Sequence, residues 1–253
     1  MIGMSSTLPN RPYIMTVFCD FDGPLVDVSN RYYSTYRLAL AKIQQSHPAA
    51  NTKLTPLSKE EFWRMKQERT PDIEIAKCSG LPIASIDPFL TEVISLVNHP
   101  DLLHQDVIQP GVNWALELLH SQGTQLILVT LRDQDQARQI LQTAKLDHLF
   151  NGIYGANNGI EVAYQNSIEL KTQLLTRAAT KHWPEPGRRH HPAWVIGDTE
   201  ADVWSGRNLD IPTIALTCGI RSHSYLEKQS PTVILADLVS ASNHLVRTTV
   251  SCA

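Results

Sequence analysis

The sequence has few cysteines, no long apolar run and no excess of basic charge, and each shortage argues against a class of protein. The four cysteines are Cys19, Cys78, Cys218 and Cys252. They lie far apart without a C-x-x-C pair, so neither a zinc site nor a disulfide framework is predicted. No apolar run approaches the roughly 18 residues of a membrane span. A formal net charge of -3 argues against a nucleic-acid partner.

The N-terminal segment MIGMSSTLPNRPYIM lacks the charged start and the long apolar centre of a signal peptide. Together with the missing membrane span, it favours a cytoplasmic protein with reduced thiols. With 253 residues, of which 42% are hydrophobic, the chain can bury a large core. That core is expected either in one large domain or in a core domain with a smaller companion.

Short apolar runs rich in β-branched residues alternate with helical patterns along the chain. The strongest strand candidates are residues 16–20, 125–130, 193–198 and 212–217, and weaker ones are 152–155 and 231–235. Segments such as GVNWALELLHSQG and DQARQILQTAKL fill the gaps with helical periodicity. This alternation predicts an α/β fold with a parallel sheet covered by helices on both faces.

About a hundred residues separate the first two strand candidates, far more than a simple crossover needs. Most of this stretch is helical by pattern, including KEEFWRMKQER and ASIDPFLTEVISLVNH. We therefore predict a core domain formed by 1–27 and 110–253, with a small helical cap domain formed by 28–109. A cap over the edge of the sheet is suited to excluding water from a reaction.

Polar residues follow several of the predicted strands, at the edge of the sheet where ligands bind in α/β proteins. One carboxylate at a strand end is more often a helix cap than a catalytic group. Their order along the chain is the stronger signal: Asp20 and Asp22, then Thr130 with Arg132, then Lys171, then Asp198 and Asp202.

In that order the residues resemble the signatures of the haloacid dehalogenase-like hydrolase superfamily, in its phosphatase branch. DFDGPLVD matches the first signature, LILVT the second, Lys171 the third and GDTEAD the fourth. The connecting segments are similar to those of phosphoglycolate-phosphatase-like members, and the resemblance runs from about Val17 to Leu245. It implies a Rossmann-like parallel sheet with a helical cap inserted after the first motif.

The resemblance also implies a Mg²⁺ cofactor and a role for each matched residue. Asp20, Asp198 and the backbone carbonyl of Asp22 are the implied metal ligands, which suits the preference of Mg²⁺ for oxygen. Asp20 is the implied nucleophile and Asp22 the implied general acid and base. Thr130 and Lys171 are expected to bind the phosphoryl group, and Asp202 to support Lys171 or the metal.

The implied reaction is hydrolysis of a small phosphorylated metabolite through an aspartyl-phosphate. Three alternatives stay open: a sugar phosphomutase, a haloacid dehalogenase, and a non-catalytic phosphate-binding module. Lys181 competes with the third-motif lysine, and Pro24 replaces the usual Thr or Val of the first motif. The two adjacent histidines of GRRHHP suit a solvated loop better than a metal site.

Three cationic residues of the cap segment, Arg31, Lys66 and Arg69, either form ordinary surface charge or receive a second anionic group of the substrate. The sequence favours neither reading for any one of them. It also leaves open whether the protein is a monomer or a homodimer.

Overall fold

The structure is a computed structural model, and we describe its residues 15–46, 54–156, 166–183 and 191–250. In these residues the strands are β1 Met15–Cys19, β2 Val26–Asp27, β3 Val107–Ile108, β4 Thr124–Asp133, β5 Gly152–Ala156, β6 Ala193–Gly197, β7 Thr213–Leu216 and β8 Val233–Leu235. Six strands form one parallel sheet in the order β5-β4-β1-β6-β7-β8. The predicted α/β fold with a parallel sheet is therefore confirmed.

Helices follow most of the strands. They are α1 Ser29–Ser46, α2 Lys59–Gln67, α3 Asp72–Cys78, α4 Ile86–Val97, α5 Pro100–Leu103, α6 Val112–Ser121, α7 Gln134–Thr143, α8 Ile168–His182, α9 Glu200–Asn208, α10 His223–Glu227 and α11 Leu238–Val250. Two 3₁₀ turns, Ile83–Ser85 and Asp147–Leu149, complete the described elements. Among the helices described here, none is long and apolar enough to cross a membrane.

The central strand β1 shows why both faces of the sheet are covered. Because neighbouring side chains of a strand point to opposite faces, Val17 and Cys19 pack with α6, α7 and α11 on one face. Phe18 packs with α8 on the other face. Both faces of β1 are buried, which explains why its sequence is a continuous apolar run rather than an alternating one.

Helices α1 to α4 of the insertion pack around a separate apolar cluster that includes Tyr36, Phe62 and Phe89. The chain enters and leaves this insertion through the short antiparallel pair β2 and β3, in which Val26 pairs with Ile108. The helical character predicted for 28–109 is therefore observed. The division of the chain into cap and core domains at these boundaries stays a prediction.

Strand β4 is longer than the sequence pattern indicates. The predicted segment ended at Thr130, whereas the observed strand continues to Asp133, with a shift in its pairing to β5 after Val129. The extension places the polar residue Arg132 inside the sheet edge, with its guanidinium carbon 5.3 Å from the centre of the Phe21 ring. The carboxylates that balance the charge of Arg132 come from distant parts of the chain. Local sequence patterns therefore could not predict these contacts.

Candidate active site

The register of the sheet brings the predicted site residues to one edge. Cys19 pairs with Leu128 of β4 and with Ile196 of β6, so the residues that follow these positions emerge side by side. The backbone N–H of Asp20 continues the pairing by donating to the Ile196 carbonyl at 2.8 Å. A pocket of about 660 Å³, open solvent included, lies over this edge, and its lining includes Asp20, Asp22, Thr130, Arg132 and Asp198.

Asp20 is held in a fixed orientation at the floor of this pocket. Its Oδ1 accepts a hydrogen bond from the backbone N–H of Phe21 at 2.8 Å. The same oxygen lies 2.8 Å from the Lys171 ammonium. The residue is 8% exposed, so its carboxylate is nearly removed from bulk water while it still borders the pocket.

Asp198 lies in a cradle made by two glycines. A Cβ atom at Gly23 or at Gly219 would collide with the Asp198 carboxylate, so only glycine fits at these two positions. Gly23 also has a φ of 95°, which side chains disfavour. Asp198 Oδ2 accepts the backbone N–H of Ile220 at 2.6 Å, whereas Oδ1 is buried without a hydrogen-bond partner among the described residues.

Lys171 connects the first and fourth motifs. It lies on the first turn of α8 and is 2% exposed, and its ammonium is 2.7 Å from Asp202 Oδ1 as well as close to Asp20. The other Asp202 oxygen accepts from the backbone N–H and the hydroxyl of Thr199, which caps α9. Asp202 therefore contacts the lysine, as expected of a supporting residue. Lys181 is exposed near the end of α8.

Three carboxylates and one ammonium leave an excess of negative charge at the floor of the pocket. Asp20, Asp198 and Asp202 each offer an oxygen, and these oxygens lie within 4.8 Å of one another. Burial raises the pKa of Asp20 to about 7 against the effect of Lys171, and burial together with both neighbouring carboxylates raises the pKa of Asp198 well above its ordinary value. Although burial alone lowers it, the contacts with Asp20 and Asp202 raise the pKa of Lys171 above its ordinary value.

This donor set fits a divalent cation. Charge repulsion between the carboxylates is relieved by a cation that they share. Asp198 Oδ1, which has no hydrogen-bond partner in the part of the chain that the structure describes, can supply a ligand oxygen beside Asp20. An all-oxygen set of carboxylates suits Mg²⁺ better than it suits a softer metal. The residues present are therefore compatible with the metal that the sequence implied.

The Asp22 side chain points to a different set of partners. Its Oδ1 is 2.8 Å from Arg132 Nη2 and its Oδ2 is 3.2 Å from Arg31 Nη2. Both arginine side chains are fully buried, and both also contact the buried carboxylate of Asp106. The Asp22 carboxylate thus stands apart from the cluster of Asp20, Asp198 and Asp202. Sequence reasoning missed Asp106 and treated Arg31 as a surface charge or a substrate contact.

The wall of the pocket opposite the sheet carries cations from both the insertion and the core. Lys66 is 8% exposed and lies 3.0 Å from Asp72, and Arg69 lies 2.7 Å from Glu200. Arg221 donates to the same Glu200 at 2.8 Å and to the Lys66 carbonyl. Although burial raises it, the Arg221 contact lowers the pKa of Glu200 to about 2. Glu200 and Arg221 had not been singled out, although Glu200 lies within the fourth motif.

The other residues considered from the sequence are Thr130, which lines the pocket, and Pro24 and Cys19, which are not part of its lining. Thr130 is 1% exposed, and its hydroxyl oxygen accepts the backbone N–H of Arg132 at 3.1 Å. Pro24 lies in a turn closed by Gly23 N–H and the Val26 carbonyl, and by Leu25 N–H and the Phe21 carbonyl. Cys19 is a buried free thiol. Most of GRRHHP lies outside the described residues, and its His191 contacts Thr16.

Comparison with known proteins decides the family. Residues 17–216 match the model of the family described as haloacid dehalogenase-like hydrolase. The chain belongs to this family. The match begins in β1 and ends in β7, so it includes the four motif regions and the helical insertion between them.

Relatives of this haloacid dehalogenase-like hydrolase include phosphatases. Pyrophosphatase PpaX of Halalkalibacterium halodurans is 23% identical over 89% of the chain and 94% of its own length. A phosphoglycolate phosphatase of Pseudomonas putida is 21% identical over 64% of the chain, but the match spans only 57% of that protein. The family thus makes this protein a haloacid dehalogenase-like hydrolase, and these two relatives are named a pyrophosphatase and a phosphatase.

Solved structures show the same fold. A haloacid dehalogenase-like family hydrolase from Streptococcus pneumoniae aligns with a TM-score of 0.67 at 21% identity, over 92% of this chain and 98% of its own. A predicted phosphoglycolate phosphatase from Haemophilus somnus aligns with a TM-score of 0.64 at 18% identity, over 92% and 98% of the two chains.

Proposed function

We propose that the protein is a Mg²⁺-dependent phosphohydrolase of a small phosphorylated metabolite, acting through an aspartyl-phosphate on Asp20. The observation that carries this proposal is the placement of Asp20 beside Lys171 and within the three-carboxylate cluster at the floor of the pocket. The first test is a screen of phosphorylated metabolites with and without Mg²⁺. Phosphate release that requires the metal supports the proposal, and no release from any ester contradicts it.

Asp20 and Lys171 would perform the first displacement together. A phosphoryl group is an anion that repels an attacking carboxylate, so positive charge must be placed where the two meet. Lys171 provides one such charge 2.8 Å from Asp20. The Thr130 hydroxyl, which accepts the Arg132 N–H, keeps its own hydrogen for a phosphoryl oxygen.

Asp20, Asp198 and the Asp22 carbonyl would hold the Mg²⁺ ion, with Asp202 supporting Lys171. When bound, the ion neutralises charge on the phosphoryl oxygens and on the carboxylates around it. Asp22 would protonate the leaving oxygen in the first step and take a proton from the attacking water in the second. Two arginines hold its carboxylate outside the acidic cluster, where it borders the pocket.

The alternatives are separated by their products. A sugar phosphomutase would return the phosphoryl group to its substrate, so a second sugar phosphate would appear in place of inorganic phosphate. A haloacid dehalogenase needs neither Asp22 nor the acids of GDTEAD, and it would release halide from a haloacid. A non-catalytic phosphate-binding module would bind phosphate esters without turnover.

Replacing Asp198 by asparagine is expected to weaken activation by Mg²⁺. The substitution removes a negative charge from the donor set but keeps its size within the glycine cradle. We expect the Mg²⁺ concentration for half-maximal activity to rise at least about tenfold, since even residues outside the metal's own ligands affect affinity this much. A titration curve that coincides with that of the wild type would rule out Asp198 as a ligand. Asp147→Asn is a control outside the pocket lining.

We further propose that the leaving group carries its own anionic group. Lys66, Arg69 and Arg221 line the pocket, and the salt bridges seen in the described part of the chain pair them with Asp72 and Glu200. Among these residues three cations face two carboxylates, and the positive charge in excess suits a carboxylate or a second phosphoryl group. Arg31, in contrast, contacts Asp22 and Asp106 and is absent from the lining.

Lys66→Met is expected to reduce the preference for an anionic leaving group. The assay compares phosphoglycolate with 2-hydroxyethyl phosphate, which replaces the carboxylate by a neutral hydroxymethyl group. The ratio of their kcat/KM values should fall about tenfold or more, because a hydrogen bond between charged groups contributes about 1.5–3 kcal/mol. Lys77→Met changes an exposed lysine outside the pocket lining and should preserve the ratio. Equal kcat/KM values for the two esters in the wild-type enzyme would disprove the proposed anionic leaving group.

A further inference from the structure

The Asp22 carboxylate belongs to a closed ring of four charged side chains. Arg132 Nη2 lies 2.8 Å from Asp22 Oδ1 and 2.6 Å from Asp106 Oδ2. Arg31 Nη2 lies 3.2 Å from Asp22 Oδ2, and its Nε lies 2.8 Å from Asp106 Oδ1. Each oxygen of each carboxylate therefore has its own arginine contact. The two positive and two negative charges balance.

The ring is buried, and its members come from separate parts of the chain. The side chains of Arg31, Asp106 and Arg132 have no exposure, whereas that of Asp22 is 26% exposed and lines the pocket. Asp22 follows β1, Arg31 lies in the first turn of α1, Asp106 precedes β3 and Arg132 is the second-last residue of β4. The ring thus joins the loop after β1 to the two segments through which the chain enters and leaves the helical insertion.

Asp106, like Asp22, contacts both arginines, but its side chain is fully buried and is not part of the pocket lining. Arg31 also donates to the Val97 carbonyl and to Asn98 Oδ1, so its guanidinium is tethered on the insertion side. Without the Asp106 charge, two buried guanidinium groups would share the single carboxylate of Asp22. Removing one partner from a buried set of charges leaves the rest uncompensated, and the set rearranges or loses stability.

We propose that Asp106 is a positioning residue, which aims the Asp22 carboxyl at the leaving oxygen through Arg31 and Arg132. The inference rests on the proposed role of Asp22. In the first step a bond forms between an Asp20 oxygen and phosphorus while the bond from phosphorus to the ester oxygen breaks. Asp22, in its protonated form, transfers its proton to that oxygen, which leaves as the alcohol, and the carboxylate that remains restores the charge balance of the ring. Asp106 touches none of the reacting atoms, so its effect is confined to the direction in which Asp22 points.

Asp106→Asn tests the proposal with two substrates. For an alkyl phosphate, which needs a proton on its leaving oxygen, kcat/KM should fall about 10- to 100-fold, since small misplacement of a catalytic group costs up to about 10². For dinitrophenyl phosphate, whose leaving group departs without a proton, kcat/KM should change far less, because this quantity does not include the later attack of water. Turnover of the second ester also shows that the variant is folded. The matched control is Asp101→Asn, because Asp101 is a highly exposed carboxylate in α5, shortly before Asp106 in the chain.

A double-mutant cycle separates positioning from a general structural effect. If Asp106 acts through Asp22, adding Asp106→Asn to Asp22→Asn should cost no further alkyl phosphate turnover. Loss factors that multiply in the double variant would overturn the inference, as would an Asp106→Asn enzyme as active as the wild type. Should that variant fail to fold, Asp106→Glu, which keeps the charge and lengthens the side chain, replaces it in the cycle.

The cycle also keeps the two proposals apart. A wild-type protein that hydrolyses no ester, or an Asp22→Asn variant with undiminished alkyl phosphate turnover, contradicts the proposed function. If the wild type and Asp22→Asn behave as expected and only Asp106→Asn deviates, the positioning role alone fails.

Discussion

Asp20→Asn is expected to reduce phosphate release by about 10⁴-fold or more, because an amide oxygen cannot form the covalent intermediate on which the proposed route depends. The variant keeps the shape of the side chain and its contact with the Phe21 N–H, so the fold should persist. The measurement is the rate of phosphate release at saturating ester and Mg²⁺, together with a thermal unfolding curve.

A folded Asp20→Asn protein that still hydrolyses esters at the wild-type rate would refute the assignment of the nucleophile. Asp87→Asn, on α4 and outside the pocket lining, is a suitable control and should retain full activity. Loss of activity together with loss of the unfolding transition would instead point to a structural role for the Asp20 contact with Lys171.

Asp22→Asn is expected to have the second largest effect, and that effect should depend on the ester. General acid catalysis contributes about 10²- to 10⁴-fold, so alkyl phosphates with poor leaving groups should lose that much in kcat/KM. Esters of acidic phenols should lose much less in kcat/KM, since their leaving oxygen needs no proton. The measurement is the slope of log kcat/KM against leaving-group pKa for the two enzymes, because kcat/KM does not include the later attack of water.

A steeper dependence on leaving-group pKa in Asp22→Asn supports the acid role, and parallel lines would contradict it. The contacts with Arg31 and Arg132 accept an amide oxygen at only one of the two positions, so some loss of order is also expected. The loss that comes from this disorder is measured by kcat/KM for the dinitrophenyl ester, because its leaving oxygen needs no proton from Asp22.

The elements of the fold could be predicted from the sequence because the periodic signals are strong and local. Each predicted strand, including the weaker candidates 152–155 and 231–235, overlaps an observed strand of the parallel sheet. The convergence of Asp20, Thr130 and Asp198 also followed from pattern alone, since parallel strands place their carboxyl ends at one edge. The structure brings these residues to the same pocket.

The ring around Asp22 could not be predicted, because its contacts join residues far apart in the chain. Arg31 and Asp106 are 75 positions apart, and their meeting depends on how the insertion packs. An arginine in an amphipathic helix suggests surface charge, and nothing near Arg31 indicates full burial. The burial of Lys66 could not be predicted for a similar reason, because it depends on the contact with Asp72 in the next helix. Buried charges of this kind are balanced by partners that come together only in the folded chain.

The proposed function requires that the phosphoryl group is bonded to Asp20 before it is transferred to water. The most direct test is hydrolysis, in the presence of Mg²⁺, of a phosphorothioate ester that is chiral at phosphorus and labelled with two oxygen isotopes, in water that carries the third isotope. The inorganic thiophosphate released is then chiral, whereas inorganic phosphate could not be. Two successive displacements each invert the phosphorus, so we predict thiophosphate with retained configuration. Inverted thiophosphate would show a single direct attack by water and would contradict the role of Asp20.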